Sequence, residues 1–211
     1  MKGNLIIIAS PSGGGKGTLI KRVLTDMPEI TFSVSYTTRT MRAGEINGRE
    51  YFFVTREAFE KLRDSGEFLE SATVHGNLYG TSRSQVKKLT DSGVDVLLEI
   101  DVQGATAVID AEPDIVSIFI LPPSFSILSE RLRGRGTENE DEISLRLSNA
   151  AWEVRQYERF SYLVINESVE TASAEISDII KCERLRTIRR KADVQAILDG
   201  FDPSKSLSSG E

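Results

Sequence analysis

Asn4-Leu5-Ile6-Ile7-Ile8-Ala9-Ser10-Pro11-Ser12-Gly13-Gly14-Gly15-Lys16-Gly17-Thr18 is the stretch that decides the fold of this chain. Leu5 to Ala9 is an apolar run of strand length that stops at Ser10-Pro11, and three glycines follow it. Lys16 comes next, and Leu19, Ile20, Val23 and Leu24 recur with the period of a helix. A strand that passes through a glycine loop and a lysine into a helix is built to cradle a polyphosphate. Glycines let the backbone bend round an anion with its N–H groups turned inward, and the helix N-terminus adds positive potential. The reading assigns the phosphates of a nucleoside triphosphate to Ser10, Pro11, Ser12, Gly13, Gly14, Gly15, Lys16, Gly17 and Thr18, with Lys16 reaching the outer ones. Two positions depart from G-x-x-x-x-G-K-[ST]. Ser10 stands where the first glycine is expected, and Gly17 delays the hydroxyl to Thr18. The competing reading is a glycine-rich turn with a surface lysine.

Composition narrows the chemistry. At 211 residues the chain is long enough to bury a sizeable core, either as one large domain or as a core with inserted pieces. Its apolar runs are strand-sized, so no membrane span is expected, and residues 1 to 9 lack the cleavage site of a secretory signal. A single cysteine, Cys182, excludes an internal disulfide and a cysteine-based metal cluster; its helical surroundings predict a packing role. A single histidine, His75, leaves histidine metal sites and a Ser-His-Asp triad poorly supported, and packing in a loop is its expected role. A cytoplasmic enzyme that works by positioning and electrostatics fits these absences. The net charge of −6 disfavours broad nucleic-acid binding. Yet arginines gather at Arg39, Arg42 and Arg49 and again at Arg131, Arg133, Arg135 and Arg146, a pattern suited to small anions.

Apolar runs alternate with amphipathic ones, which predicts an α/β fold with a parallel sheet. Strands are expected at Leu5 to Ala9, Thr31 to Tyr36, Val94 to Ile100, Ile115 to Leu121 and Tyr162 to Ile165. Helices are expected over 16–27, 56–64, 82–91, 103–110, 124–133, 139–159 and 168–190. Ser82 to Gln85 and Thr137 to Glu140 have capping-box spacing. Residues 35–90, with short strands, turns and two small helices, and residues 131–146 look like mobile pieces on a rigid core. No internal repeat is present, and the tail from Asp202 is expected to be disordered.

The acceptor has to be read from residues 33 to 101. Arg39 and Arg42, three apart in a turn-rich region, suit a phosphate clamp that Tyr51 and Tyr79 would complete. A solvated charged loop with two core tyrosines is the alternative. Guanine presents N–H donors at N1 and its 2-amino group, with an acceptor at O6. A carboxylate at Glu70 with hydroxyls at Ser35 and Thr81 complements that edge, whereas adenine would leave these groups mismatched. Such mismatches support discrimination of roughly 10⁴–10⁵.

With these residues in view, the chain resembles guanylate kinases from about residue 4 to 190. The resemblance rests on S-x-S-x-T-T-R-x-x-R-x-G-E-x-x-G-x-x-Y-x-F from Ser33 to Phe53, on Glu70, and on His75-Gly76-Asn77-Leu78-Tyr79-Gly80-Thr81. It continues through Leu98-Glu99-Ile100-Asp101-Val102-Gln103-Gly104 and Arg133-Gly134-Arg135-Gly136-Thr137. The G-K-G-T ending is also similar to nucleoside monophosphate kinases. The resemblance implies a P-loop three-layer α/β fold with a central parallel sheet, an inserted GMP-binding subdomain and a mobile lid. It implies transfer of the γ-phosphoryl of ATP to GMP with Mg²⁺, which would ride on the ATP phosphates with Thr18 as a candidate protein ligand. By position, Ser35, Glu70 and Thr81 would contact guanine, supported by Asp101, and Arg39, Arg42, Tyr51 and Tyr79 would hold the GMP phosphate. Lys16 with the loop would hold ATP, Arg135 and Arg146 would close over the transferring group, and Asn166 would lie near adenine. Glu167 stands where many members carry aspartate. Lys16, Arg42, Arg135 and Arg146 are the residues expected to act on the transferring phosphoryl group. The implied division is one domain over 1–201, with core 1–34, 91–124 and 156–190, GMP-binding part 35–90 and lid 125–155, then the tail 202–211.

Phosphoryl transfer asks for alignment and charge neutralisation more than covalent work. Arginines that arrive only when both nucleotides are bound would suppress ATP hydrolysis. A role for Asp101 in ordering water on Mg²⁺ stays open, as does the oligomeric state. Three other functions compete with this reading. A non-catalytic module of similar fold would be expected to have lost Lys16, a kinase for another small acceptor would not need Glu70 with Ser35 and Thr81, and a switch GTPase would carry N-K-x-D.

Overall fold

Alternation along one strand explains the layers. In β1, Leu5–Ala9, Ile6 and Ile8 turn to one face of the sheet while Ile7 and Ala9 turn to the other, and all four are fully buried. A strand covered on both faces has no polar side, which is why the run reads as uninterrupted apolar sequence. The computed structural model describes residues 2–74, 76–112, 114–134 and 140–201.

From β1 the chain passes through the glycine loop into α1, Lys16–Asp26. Short strands β2, Thr31–Phe32, β3, Tyr36–Thr37, and β4, Phe52–Phe53, precede α2, Arg56–Asp64. The hairpin pair β5, Phe68–Val74, and β6, Asn77–Ser82, leads into α3, Arg83–Asp91. Then come β7, Val96–Glu99, α4, Val102–Ala111, β8, Val116–Leu121, α5, Phe125–Arg133, and α6, Glu140–Val154. A 3₁₀ turn, Arg155–Arg159, is followed by β9, Tyr162–Ile165, α7, Val169–Arg184, and α8, Lys191–Gly200.

The central sheet has strand order β2-β7-β1-β8-β9 and is parallel throughout. On one face α1 and α7 bring Leu19, Ile20, Val23, Ile176 and Ile180 against Ile6, Ile8, Ile118 and Ile120. On the other, α4 brings Val102, Ala105 and Val108 against Ile7, Leu98 and Phe119. This is the expected three-layer α/β architecture. Asp95 ties the N-terminal edge together, accepting from the Asn4 backbone N–H at 2.7 Å and from Arg184 Nε at 2.7 Å.

A second sheet, β4-β3-β6-β5, is small and mixed: β3 is parallel to β4 and antiparallel to β6, which is antiparallel to β5. Its core is aromatic. Phe59 of α2 meets Phe68 with ring centroids 4.5 Å apart, and Tyr36 stacks on Phe52 at 4.9 Å.

Several expectations are corrected. The extended run Thr31 to Tyr36 is two strands in different sheets, because Ser33 to Ser35 carries the chain from one to the other. The helix expected over 139–159 passes into the 3₁₀ turn at Arg155, and the one expected over 168–190 ends at Arg184. A helix not foreseen, α8, follows. Ser82 caps α3 by accepting from the Gln85 N–H at 3.1 Å, but the Gln85 amide donates to Tyr36 Oη at 3.0 Å instead of closing a capping box. Cys182 is exposed, not packed, since the buried stripe of α7 runs through Ala172, Ile176, Ile180 and Glu183. His75, Arg135, Thr137 and the tail from Asp202 lie outside the described residues. Among the described residues, no helix is long and apolar enough to cross a membrane.

Candidate active site

The loop between β1 and α1 takes its shape from glycine. Gly13 and Gly15 hold φ of 88° and 89°, a left-handed conformation that side chains with a Cβ rarely adopt. Space imposes glycine as well: a Cβ on Gly15 would come within 2.4 Å of Asn166 Nδ2, and one on Gly13 within 2.8 Å of Leu128 Cδ1. Asn166 is buried and donates from Nδ2 to the Gly14 carbonyl at 2.9 Å, so the expected adenine neighbour also braces the loop. Its Oδ1 is buried with no hydrogen-bond partner, as is Nη1 of Arg131, whose Nη2 donates to the Asn166 carbonyl at 3.2 Å.

The loop opens onto a cavity of about 500 Å³, walled by Ser10 through Thr18 together with Lys21, Glu99, Asp101 and Glu153. Lys16 Nζ donates to the Ile100 carbonyl at 2.6 Å and lies 3.9 Å from Glu99 Oε1. Burial pushes the Lys16 ammonium below its ordinary pKa, against the opposing pull of Glu99, Asp101 and Glu153. Glu153, on α6, accepts the Ser12 N–H at 3.1 Å.

A second cleft of about 390 Å³ lies between the two sheets, and Lys16, Glu99 and Asp101 stand in the walls of both. Ser35, Tyr51, Glu70 and Tyr79 complete the part of it that sequence reading anticipated, while Phe32, Glu50, Ala72, Val74 and Ile100 complete the wall. Glu70 Oε1 accepts from Thr81 Oγ1 at 2.8 Å, and Thr81 Oγ1 lies 3.5 Å from Ser35 Oγ. Three residues from three places in the sequence thus form one polar cluster. The antiparallel register that sets Glu70 opposite Thr81 across β5 and β6 produces it. Burial pushes the Glu70 carboxyl up, the charge of Asp101 adds to this, and the Thr81 bonds oppose it. Asp101 Oδ1 accepts the Gly104 N–H at 2.7 Å and so caps α4.

The two arginines of the expected phosphate clamp stand back from the cleft wall. Arg39 lies 5.5 Å over the rings of Tyr51 and Phe53 and donates from Nη2 to Glu45 Oε1 at 2.7 Å. Arg42 is exposed, and its backbone N–H donates to Glu45 Oε2 at 2.7 Å. The Arg39 hydrogen bond, ahead of the Arg42 N–H, holds the Glu45 carboxyl below the usual range. Arg146 is half-buried on α6.

Sequence reading missed Glu45, Glu99 and Glu153, and it singled out Arg131 only as one of a cluster of arginines. Each works by position and carries no motif of its own. Glu45 and Glu99 sit inside quoted motifs, and Glu153 follows Arg146 by two helical turns, a spacing that places both on one face of α6.

A family model described as guanylate kinase matches residues 2–183. A guanylate kinase of Thermotoga maritima is 45% identical over 195 residues, covering 92% of this chain and 94% of that protein. One of Aromatoleum aromaticum is 49% identical over 186 residues, covering 88% and 91%. The crystal structure of guanylate kinase from Anaplasma phagocytophilum superposes with a TM-score of 0.71 at 38% identity, covering 89% of each chain.

Proposed function

The chain belongs to the guanylate kinase family, and we infer from that premise and from its paired clefts an ATP:GMP phosphotransferase that converts ATP and GMP into ADP and GDP. One observation carries the residue assignment: the glycine-loop cavity and the Glu70 cleft meet at Lys16. A donor and an acceptor held in these two spaces would bring their phosphates together beside the half-buried ammonium of Lys16.

We propose that Ser10 to Thr18 hold the ATP phosphates and that Asn166 faces the adenine, where its unpartnered Oδ1 suits an exocyclic amino donor. Ser35, Glu70 and Thr81 read guanine, with Asp101 as their neighbour: an ionised Glu70 accepts from N1–H and the 2-amino group, while the hydroxyls serve O6. Tyr51 and Tyr79 line the path to the GMP phosphate, and Arg39 and Arg42 clamp it from the rim. Lys16 neutralises charge on the transferring group, and Arg42, Arg135 and Arg146 complete that neutralisation. In this reading residues 35–90 form the acceptor part, 125–155 the lid, and 1–34, 91–124 and 156–190 the core. The protein works in the cytoplasm, in purine nucleotide metabolism.

Mg²⁺ fits the donor cavity, whose oxygen donors include the exposed Thr18 hydroxyl and the carboxylates of Glu99, Asp101 and Glu153. No cluster of three or more metal-binding side chains occurs among the described residues, which suits a cation carried largely by phosphates and water. When bound, it would offset charge on the ATP phosphates.

The test is ADP formation from Mg·ATP with GMP, AMP, CMP, UMP and dTMP offered singly, beside a control with no acceptor. Rapid turnover with GMP alone is expected. Turnover with another acceptor would overturn the guanine assignment, and tight GMP binding without turnover would overturn the catalytic one.

A further inference from the structure

A carboxylate is an odd occupant for a polyphosphate cavity. Glu153 Oε2 accepts the Ser12 N–H inside the loop that Lys16 serves, and its charge is felt at the Lys16 ammonium. The cavity therefore presents three carboxylates, Glu99, Asp101 and Glu153, around Lys16 before any nucleotide arrives. Glu99 and Asp101 stand, exposed, at the end of β7 and the start of α4, on the central-sheet layer that also carries the loop. Glu153 differs, because it comes from α6, a helix that packs on α5 through Ala150 and Leu147 against Leu128 and Leu132. Those two leucines of α5 also stand where a Cβ on Gly13 of the loop would fall.

We propose that Glu153 is a stand-in anion: it occupies a loop N–H in the nucleotide-free protein and is displaced when the donor's phosphates enter. The inference rests on the reading of this loop as the donor site. A loop N–H needs an acceptor in either state, and a carboxylate satisfies it as a phosphate oxygen would. Both anions in the cavity at once would repel each other at low effective dielectric, so donor binding and release of Glu153 are coupled. Arg146 lies two turns earlier on the same face of α6, about 10 Å away along the helix axis. A helix anchored by Glu153 holds Arg146 in one position, and a helix released by the donor is free to take another. Glu153 is thus a positioning residue that makes the placement of Arg146 depend on donor occupancy.

The chain contains one tryptophan, and it is Trp152, exposed beside Glu153 on α6. Its fluorescence reports this helix without any label. The experiment titrates the full chain with ATP, without GMP, in wild type, E153Q and E153A, reading affinity by calorimetry and Trp152 emission together. E153Q keeps the side chain's shape and an acceptor while removing its charge; E153A removes both. The proposal expects ATP to bind roughly three- to tenfold more tightly to both variants, because a competing anion has gone. It also expects wild-type emission to shift on saturation with ATP, and nucleotide-free E153A to show that shifted emission already. A residue that merely braced the loop would give the opposite sign, with weaker ATP binding in E153A. Unchanged or weakened affinity in both variants overturns the inference while leaving the donor site standing. A wild-type chain that binds no ATP overturns the donor-site reading and this inference with it.

Discussion

In the proposed reading the glycine loop and the Glu70 cleft each hold a nucleotide, with different materials. The loop uses backbone: in that reading its N–H groups would hold phosphate, while its shape follows from two left-handed glycines and Asn166 locks it from behind. The cleft uses side chains brought from β5, β6 and the Ser33–Ser35 crossover, on a small sheet with its own aromatic core. Backbone recognises phosphate, which every nucleoside triphosphate has. Side chains recognise a base edge, which differs between nucleotides. The division predicts that damage to the loop removes rate, whereas damage to the cleft removes choice.

The sharpest way to break that division is Lys16→Ala. Lys16 is the one cation in the walls of both cavities, so removing it should cost turnover with every acceptor alike. A loss of about 10³-fold in kcat is expected for removing a preorganised charge from the transferring group. Coupled measurement of ADP production checks it, with GMP-over-AMP preference expected to stay constant. A variant that kept its rate but changed its preference would erase the contrast.

Next in size comes Glu70→Ala, with the opposite signature. Preference for GMP over AMP should fall by roughly 10²-fold or more, mostly through kcat/KM for GMP. A pH profile sharpens the same point. Glu70 must be ionised to accept two N–H groups, and burial has raised its pKa. In wild type, kcat/KM for GMP should therefore fall as pH drops through a range above that of an ordinary glutamate, and Glu70→Ala should lose this limb. An unchanged GMP-over-AMP ratio in the variant would remove Glu70 from base recognition.

The two regions also differ in how far sequence exposed them. Leu5 to Thr18 is local and contiguous, so strand, loop, lysine and helix were legible together, as were the buried strands β7 and β8 to within two residues. The small sheet was not legible as a sheet, because β3 and β4 have two residues each and two residues carry no period. Glu70, Thr81 and Ser35 were grouped by their match to the guanine edge and by resemblance to a family, not by any local pattern, since strand register sets Glu70 opposite Thr81 and register is a tertiary property. Helix ends failed for a related reason. The periodicity of α7 carries past Arg184, but the chain turns there and restarts at Lys191. Glu45 and Glu153 stayed hidden because a lone acid reads as a solvated charge until its partner is seen.

Glu45→Gln is the smallest effect and tests whether the cleft's preparation matters. One carboxylate accepts from Arg39 Nη2 and from the Arg42 N–H, both at 2.7 Å, and so fixes the turn that carries both arginines of the proposed clamp. Competition would make Glu45 a rival of the GMP phosphate for Arg39, and its removal would lower KM for GMP. Preorganisation would make it a support, and its removal would raise KM. The geometry favours support. Arg39 donates to Glu45 from Nη2 and to the Thr40 carbonyl from Nη1, while its guanidinium lies over Tyr51, a residue of the cleft wall. A guanidinium has five donors, so two such bonds leave others for a phosphate. Glutamine keeps the shape but loses the charge that orients Arg39, and charge-assisted bonds are roughly twice as strong as neutral ones. KM for GMP should rise about three- to fivefold, with kcat and KM for ATP within a factor of about two. The split between the two KM values is the decisive readout, because it shows that the cleft can be loosened while the backbone-built loop goes on holding its own nucleotide.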